Sequence, residues 1–293
     1  MFAIVGAAGN VGFATSSRLR EAGVPVRAIL RDGAKAGRLS AIGCDVALAD
    51  LQDSAALAQA IAGADAVQII LPPPPRAEDA LGEMRWSIDS LADALERARP
   101  KRLLAISDYG AHIREWIGMP SMFRLFEERL RRLDVPKAIL RSAEHMEGWA
   151  AFLPVAKAMG VLPSLHHPIE GTFPIISAPD LGRIAAELWL GSEGWKGEVV
   201  LHAEGPRRCS AVDVAAALSE LLGCSVTAQA LPREQWQENL ERMLSPSATK
   251  LLIDLYDAHN KGGLVDVEPD GKVLHGTTEL IDALRPFVAE LPP

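Results

Sequence analysis

The chain is short of cysteine, of tyrosine, of net positive charge and of long apolar runs, and each shortage excludes something. Its three cysteines, Cys44, Cys209 and Cys224, are an odd number without metal-ligand spacing. A disulfide-stapled scaffold and a thiolate metal centre are therefore not expected. The adjacent pair His166-His167 does not change this, because neighbours in an extended segment point to opposite sides. The expected metal content is none. Thirty Lys plus Arg stand against 38 Asp plus Glu, a formal charge of -8 with a pI near 5.4. Such a field repels nucleic acid and anionic membrane surfaces. The longest largely apolar stretch, 66–75, ends in four prolines, well short of the roughly 18 residues that a membrane-spanning helix requires. No charged, apolar and cleavage pattern opens the chain, so the expected compartment is the cytoplasm.

What is present is an ordinary globular composition, 48% hydrophobic and 23% charged over 293 residues, enough for a sizeable core. The apolar run Phe2 to Val5 leads into Gly6-Ala7-Ala8-Gly9-Asn10-Val11-Gly12 and then a helical segment that stops at Gly23. Val24 to Leu30 reads as a second strand. Asp53 reads as the N-cap of the next helix, which ends at Gly63, and Ala66 to Leu71 as a third strand. Leu81, Met84, Ile88, Leu91 and Leu95 share one face of a helix over 78–98. Strands at Lys101 to Ser107 and Val135 to Leu140 flank a helix carrying Phe123, Phe126, Leu130 and Leu133. Arg129, Arg131 and Arg132 beside Glu127 and Glu128 read as its solvated, ion-paired face.

Strands alternating with helices imply parallel pairing, hence an α/β fold with a doubly wound, Rossmann-like parallel sheet. Prolines interrupt the pattern after about Arg141. The expected division is a dinucleotide-binding domain over 1–150 and a smaller α+β substrate lobe over 151–293, with later segments free to return to the sheet. Within the second half, Ser210 and Asp213 have capping-box spacing ahead of a helix that stops at Gly223, and another helical zone runs from Arg233 to about His259.

The glycine turn carries the strongest functional signal. Gly6 permits a sharp exit from the strand, Gly9 lets backbone N–H groups approach a pyrophosphate, and Gly12 lets the helix pack closely on the sheet. Its position between strand and helix, inside an N-terminal βαβ unit, is the context this motif needs. Gly6, Ala8, Gly9, Asn10, Val11 and Gly12 are thus expected to line a dinucleotide. Arg31, at the tip of the second strand, and nearby Lys35 suit a 2′-phosphate and select NADPH over NAD(H). Asp32 lies one position later than the usual ribose-binding acid and reads as the start of a turn. Leu71, Pro72 and Ser107, at the tips of later strands, are assigned to the same cofactor.

The acceptor side gives a weaker pattern. Short-chain dehydrogenases use a Tyr with a Lys four residues on, whereas Tyr109 is followed at that spacing by Ile113 and Tyr256 by Asn260. Tyr109 and His112 lie beyond the strand ending at Ser107, where either could donate a proton or form a wall. His145, the second catalytic candidate, and Met146 share that edge. Pro73 and Trp149 complete the expected substrate pocket.

With these residues the chain resembles the NmrA-like branch of the atypical short-chain dehydrogenases over nearly its whole length. Gly6 to Gly12 matches the family's cofactor loop and Arg31 its basic strand tip. Asp50 and Leu51, within Ala49-Asp50-Leu51, look like the segment near the adenine. Ile106 to Ala111, Glu127 to Arg141 and Ala178 to Gly182 continue the likeness. The resemblance implies an NADPH-dependent reductase of a small apolar or aromatic acceptor such as a quinone, enone or ketone. It equally admits a dinucleotide-sensing regulator that acts through a protein partner. Where family members often carry Lys four residues before the helix glutamate, this chain has Phe123.

Overall fold

The computed structural model describes residues 1–192 and 195–291. Its strands are β1 (Phe2–Val5), β2 (Val26–Leu30), β3 (Asp45–Leu48), β4 (Ala66–Ile70), β5 (Arg102–Asp108), β6 (Lys137–Ser142), β7 (Glu144–His145), β8 (Val161–Ser164), β9 (Ile175–Ile176), β10 (Glu198–Glu204), β11 (Thr227–Ala230) and β12 (Val273–His275). The helices are α1 (Asn10–Glu21), α2 (Gly37–Ala41), α3 (Ser54–Ile61), α4 (Ala80–Ala98), α5 (Met119–Arg131), α6 (Leu153–Met159), α7 (Ala178–Leu190), α8 (Ala211–Leu222), α9 (Trp236–Glu241), α10 (Pro246–Lys261) and α11 (Leu280–Ala289). Eight strands form the central sheet in the order β12-β10-β6-β5-β4-β1-β2-β3, and every pairing in it is parallel.

Parallel strands need crossovers, and the crossover helices cover both faces. Leu57 and Ile61 of α3, Met84, Ile88 and Leu91 of α4 and Phe126 of α5 pack with Val67, Ile69 and Leu103 on one side. Leu19 of α1, Leu39 of α2 and Leu181 and Trp189 of α7 pack with Ile4, Ala28 and Leu104 on the other. The α1–α7 contact is close because Gly182 has no Cβ, which would lie 2.4 Å from the Val11 carbonyl oxygen. Thr15 Oγ1 reinforces the contact by donating to that same carbonyl and to Gly182 O, each at 3.0 Å.

Several expectations hold in detail. Asp53 Oδ1 accepts from Ala55 N and Ala56 N at 3.0 and 2.9 Å and caps α3. Ser210 and Asp213 form a reciprocal capping box on α8, and Gly223 ends that helix in the left-handed region at φ 66°. Others need correction. The strand from Ala66 is the fourth, because the short edge strand β3 precedes it. The zone from Arg233 breaks into α9 and α10 where Ser245 starts a new N-cap ahead of Pro246. The later segments, by contrast, return to the sheet as the reading allowed: α7 covers it, and β10 and β12 extend it beyond β6. The smaller region is the separate core of Trp149, Leu153, Leu162, Phe173, Val214, Leu218 and Leu284. No helix among the described residues is long and apolar enough to cross a membrane.

Candidate functional site

At the C-terminal edge of the sheet, a cleft of about 380 Å³ opens over the tips of β1, β2 and β4. Gly6, Ala8, Gly9, Arg31, Lys35, Asp50, Leu51, Pro72 and Pro73 all line it. Gly6 adopts φ 82°, and a Cβ there would lie 3.0 Å from Ile70 O, so the chain can leave β1 this sharply only with glycine. A Cβ on Gly12 would come within 2.5 Å of Gly6 O and 2.7 Å of Ala7 Cα. Gly12 therefore serves the protein's own packing. Gly9 differs, because its φ is -75° and its Cβ would meet only Gly6 O, at 3.6 Å. Nothing in the polypeptide requires glycine at this lining position.

Gly9 is also the N-cap of α1, which has no side-chain cap and no carboxylate in its first turn. A helix start left in this state favours an incoming anion through its unpaired N–H groups and its dipole. Arg31 and Lys35 are exposed, and among the described residues neither makes a hydrogen bond or an ion pair. Asp32 Oδ1 instead accepts from Ala34 N at 2.9 Å as a turn cap, so the cation at the strand tip is the free charge. Two features of this half were not visible in the sequence. Arg38 donates to the Ala8 carbonyl and lies 4.3 Å over the Phe13 ring, bracing the loop from 30 residues away. Pro74, Pro75, Glu83, Met84 and Ser87 close the far wall.

Some assigned residues stand behind the cleft rather than in it. Val11 and Leu71 are buried in the two sheet-face cores. Asn10 is exposed in the first turn of α1. Ser107 is buried and donates to Glu127 Oε1 at 2.6 Å. Glu127 is not on a solvated helix face; it is fully buried and takes both Arg141 Nε and Nη2, at 2.9 and 2.8 Å, as well as Arg131. These cations, with the Ser107 bond, hold its pKa below the ordinary carboxylate range despite burial.

Tyr109 and His145 differ in what they offer an acceptor. Tyr109 is 1% exposed, and its hydroxyl donates to buried Glu204 Oε1 at 3.2 Å. Burial and the Glu204 carboxylate raise its pKa. This arrangement does not suit the direct donor expected from the sequence, because the hydroxyl is turned into the protein. His145 is half-buried, with Nε2 3.2 Å from Ser142 Oγ, and burial lowers its pKa against the pull of Glu147 and Glu144. His112 is half-buried with Nδ1 unpartnered, and burial and Arg141 lower its pKa. Met146 and Trp149 belong to the smaller core.

The sequence reading missed a group of polar and aromatic residues above the β5 and β6 tips. Glu144 Oε2 meets His166 Nε2 at 3.1 Å. The His166 ring stacks on Phe173 at 3.7 Å and meets Tyr256 and His259 edge-on at 4.9 and 4.5 Å. Burial, with His166 nearby, lowers His259 to about 4. Burial and Glu144 raise Tyr256, whose hydroxyl makes no hydrogen bond among the described residues. His167 turns elsewhere, toward Leu231 O at 3.2 Å, as expected for a pair that does not share a metal. Among the described residues no cluster of His, Cys, Asp or Glu could hold one.

The strand order, the glycine turn and the crevice at the strand tips define a Rossmann-type dinucleotide-binding protein. Residues 6–147 match a family described as NAD(P)H-binding. The chain is 27% identical over 264 residues to an NAD(P)H azoreductase of Xenophilus azovorans, covering 87% of this chain and 86% of that one. It is 27% identical over 293 residues to quinone oxidoreductase 2 of Escherichia coli K12, covering 97% of each. A crystal structure of that NADPH-dependent quinone oxidoreductase superposes with a TM-score of 0.77 at 25% identity, over 97% of this chain and 98% of the other. The fold is also that of an NmrA variant, with a TM-score of 0.72 at 19% identity, covering 100% and 92%. The NAD(P)H-binding match thus covers residues 6–147, and the fold is one that quinone oxidoreductase 2 and NmrA also have.

Proposed function

We propose that this protein is an NADPH-dependent reductase of a small apolar acceptor, a quinone first among them. The observation that carries the reading is the cleft itself: an uncapped helix start, a lining glycine the fold does not need, and an unpaired Arg31 stand where pyrophosphate and 2′-phosphate would lie. The two relatives, one named for azo and one for quinone reduction, support reduction as the reaction type.

The bound nucleotide would supply a hydride. Gly6, Ala8 and Gly9 would hold its pyrophosphate, Arg31 and Lys35 its 2′-phosphate, and Asp50 and Leu51 its adenine end. The strand tips of β5 and β6 then face the acceptor. No Tyr-Lys pair is available there, which favours an acceptor that delocalises its own developing charge. A quinone does this and a simple ketone does not. The test is NADPH consumption with a quinone, an enone, an azo dye and a ketone. Quinone turnover well above ketone turnover supports the reading. Tight NADPH binding with no consumption by any acceptor refutes it in favour of a dinucleotide sensor.

A further inference from the structure

Reducing a quinone to a hydroquinone takes a hydride and a proton, and the residue that gives the proton is unassigned. Position along the sheet narrows the candidates. Neighbouring strands lie about 4.8 Å apart, so the β5 and β6 tips stand roughly 14 and 19 Å from the β2 tip where Arg31 binds. A dinucleotide laid across the crevice therefore delivers its reactive end to these two tips. The groups there are Ser107, Asp108, Ser142, Glu144 and His145. Ser107 faces α5 and is held by Glu127. Its strand partner Arg141 faces the same way and is held by the same carboxylate.

Strand alternation puts the next pair, Asp108 and Ser142, on the opposite side. Ser142 Oγ meets His145 Nε2 at 3.2 Å, so Asp108, Ser142 and His145 stand together at the edge. Asp108 is half-buried, and among the described residues its carboxyl makes no ion pair and no hydrogen bond to another side chain. It is an acid at the β5 tip whose carboxyl meets the Tyr109 backbone and, among the described residues, bonds to no other side chain.

We propose that Asp108 is the general acid that completes reduction of the acceptor, an inference that rests on the reductase reading above. Hydride delivered to one quinone oxygen forms the first O–H bond and breaks that carbonyl π bond, and the displaced electrons pass through the ring, which becomes aromatic, to leave a negative charge on the second oxygen. The Asp108 O–H bond then breaks, its proton forms the second hydroquinone O–H, and the carboxylate left behind takes a proton from solvent. The electrostatics agree with this role. Burial is the main cause that pushes the Asp108 pKa up, to about 7, followed by a lowering contact from the Tyr109 backbone and then the raising effect of Glu144 and Glu127.

The charges around it are consistent with a raised pKa. From α5, Glu127 is largely offset by Arg141 and Arg131. From β7, Glu144 is bonded to His166, while His145 has its pKa lowered and is neutral near pH 7. Tyr256 and His259 of α10 meet the ring of Glu144's partner His166 edge-on. Among the described residues no cation is paired with Asp108 itself. A carboxylic acid titrating near the working pH is a stronger donor than the Tyr256 phenol and carries its proton in about half of the molecules.

The test has two readouts on the intact chain. Carbon-13 NMR of the aspartate carboxyls, without ligand, should show one group with a midpoint near 7 that disappears in Asp108→Asn. Steady-state quinone reduction over about pH 6 to 9 should fall in the wild type as pH rises through that midpoint, because the acid form is lost. In Asp108→Asn, kcat should be lower by about 10²-fold and flat with pH, with KM for NADPH moved by less than about threefold. An Asp108 midpoint near 4, or a variant that keeps wild-type kcat and pH profile, overturns the proposal. A wild type that binds NADPH and reduces no acceptor, with the carboxyl still titrating near 7, overturns the reductase reading and the acid role with it.

Discussion

Gly9, the N-cap of α1, and Gly12, in its first turn, lie three residues apart, and the structure gives them opposite reasons to be glycine. Gly9→Ala adds a methyl 3.6 Å from Gly6 O at an ordinary φ of -75°. Alanine is a poorer N-cap than glycine by up to about 1 kcal/mol. Restricting the unfolded chain returns about 0.4–1 kcal/mol. Folding stability should therefore change by less than about 1 kcal/mol. The same methyl projects into the space a pyrophosphate must enter, so NADPH affinity should fall at least about tenfold, or about 1.4 kcal/mol. Gly12→Ala reverses the pattern. Its methyl would lie 2.5 Å from Gly6 O and 2.7 Å from Ala7 Cα, main-chain atoms that cannot rotate away. The overpacking should cost about 1–3 kcal/mol of stability. Denaturant unfolding and titration calorimetry on both variants separate the two effects. A folded Gly9→Ala protein with unchanged NADPH affinity, or a Gly12→Ala protein as stable as the wild type, would refute the reasoning.

Arg31→Ala removes the free guanidinium at the β2 tip, and NADPH should lose about 1.5–3 kcal/mol of binding while NADH loses little, narrowing their affinity ratio. Calorimetry with both nucleotides checks this; an unchanged ratio would move the 2′-phosphate to another residue. Tyr109→Phe removes the hydrogen bond to Glu204, which Arg208 still holds at 2.8 Å, so stability should drop by about 1–2 kcal/mol. Its quinone kcat should stay within about tenfold of wild type. A loss of about 10³-fold would make this hydroxyl part of the chemistry after all.

What could be read from the sequence was what neighbouring residues decide. The Gly6 to Gly12 turn, the Asp53 cap, the Ser210–Asp213 box and the apolar stripe of α4 each depend on contacts within a few positions, so spacing alone revealed them. β3 escaped because it is a short edge strand, with Asp45 and Leu48 exposed and no alternation to mark it. β10 escaped because only its pairing with β6, some 60 residues earlier, makes it part of the central sheet. Glu127 looked solvated beside Arg129 and Arg131, since nothing local announces that Arg141 reaches it from β6.

The site divides the same way. Arg31 could be found because a strand tip after a glycine turn has a fixed relation to the 2′ position. The proposed acceptor end is built from β5, β6, the chain before Phe173 and α10, four stretches whose meeting depends on the whole fold. Tyr109 attracted attention as one of two tyrosines, and only its bond to Glu204 reveals which way it points. Asp108, one residue earlier at the end of β5, carried no sequence signal beyond being an acid at a strand end.

The most direct measurement of the central claim is a single turnover. Protein loaded with one equivalent of NADPH is mixed rapidly with a small quinone, and the reduced-nicotinamide absorbance is followed. A reductase of this kind should lose the full NADPH signal in one phase, with an equal amount of hydroquinone formed. NADPH that stays bound and reduced in the presence of the quinone would contradict the account and leave the crevice as a sensor of the dinucleotide.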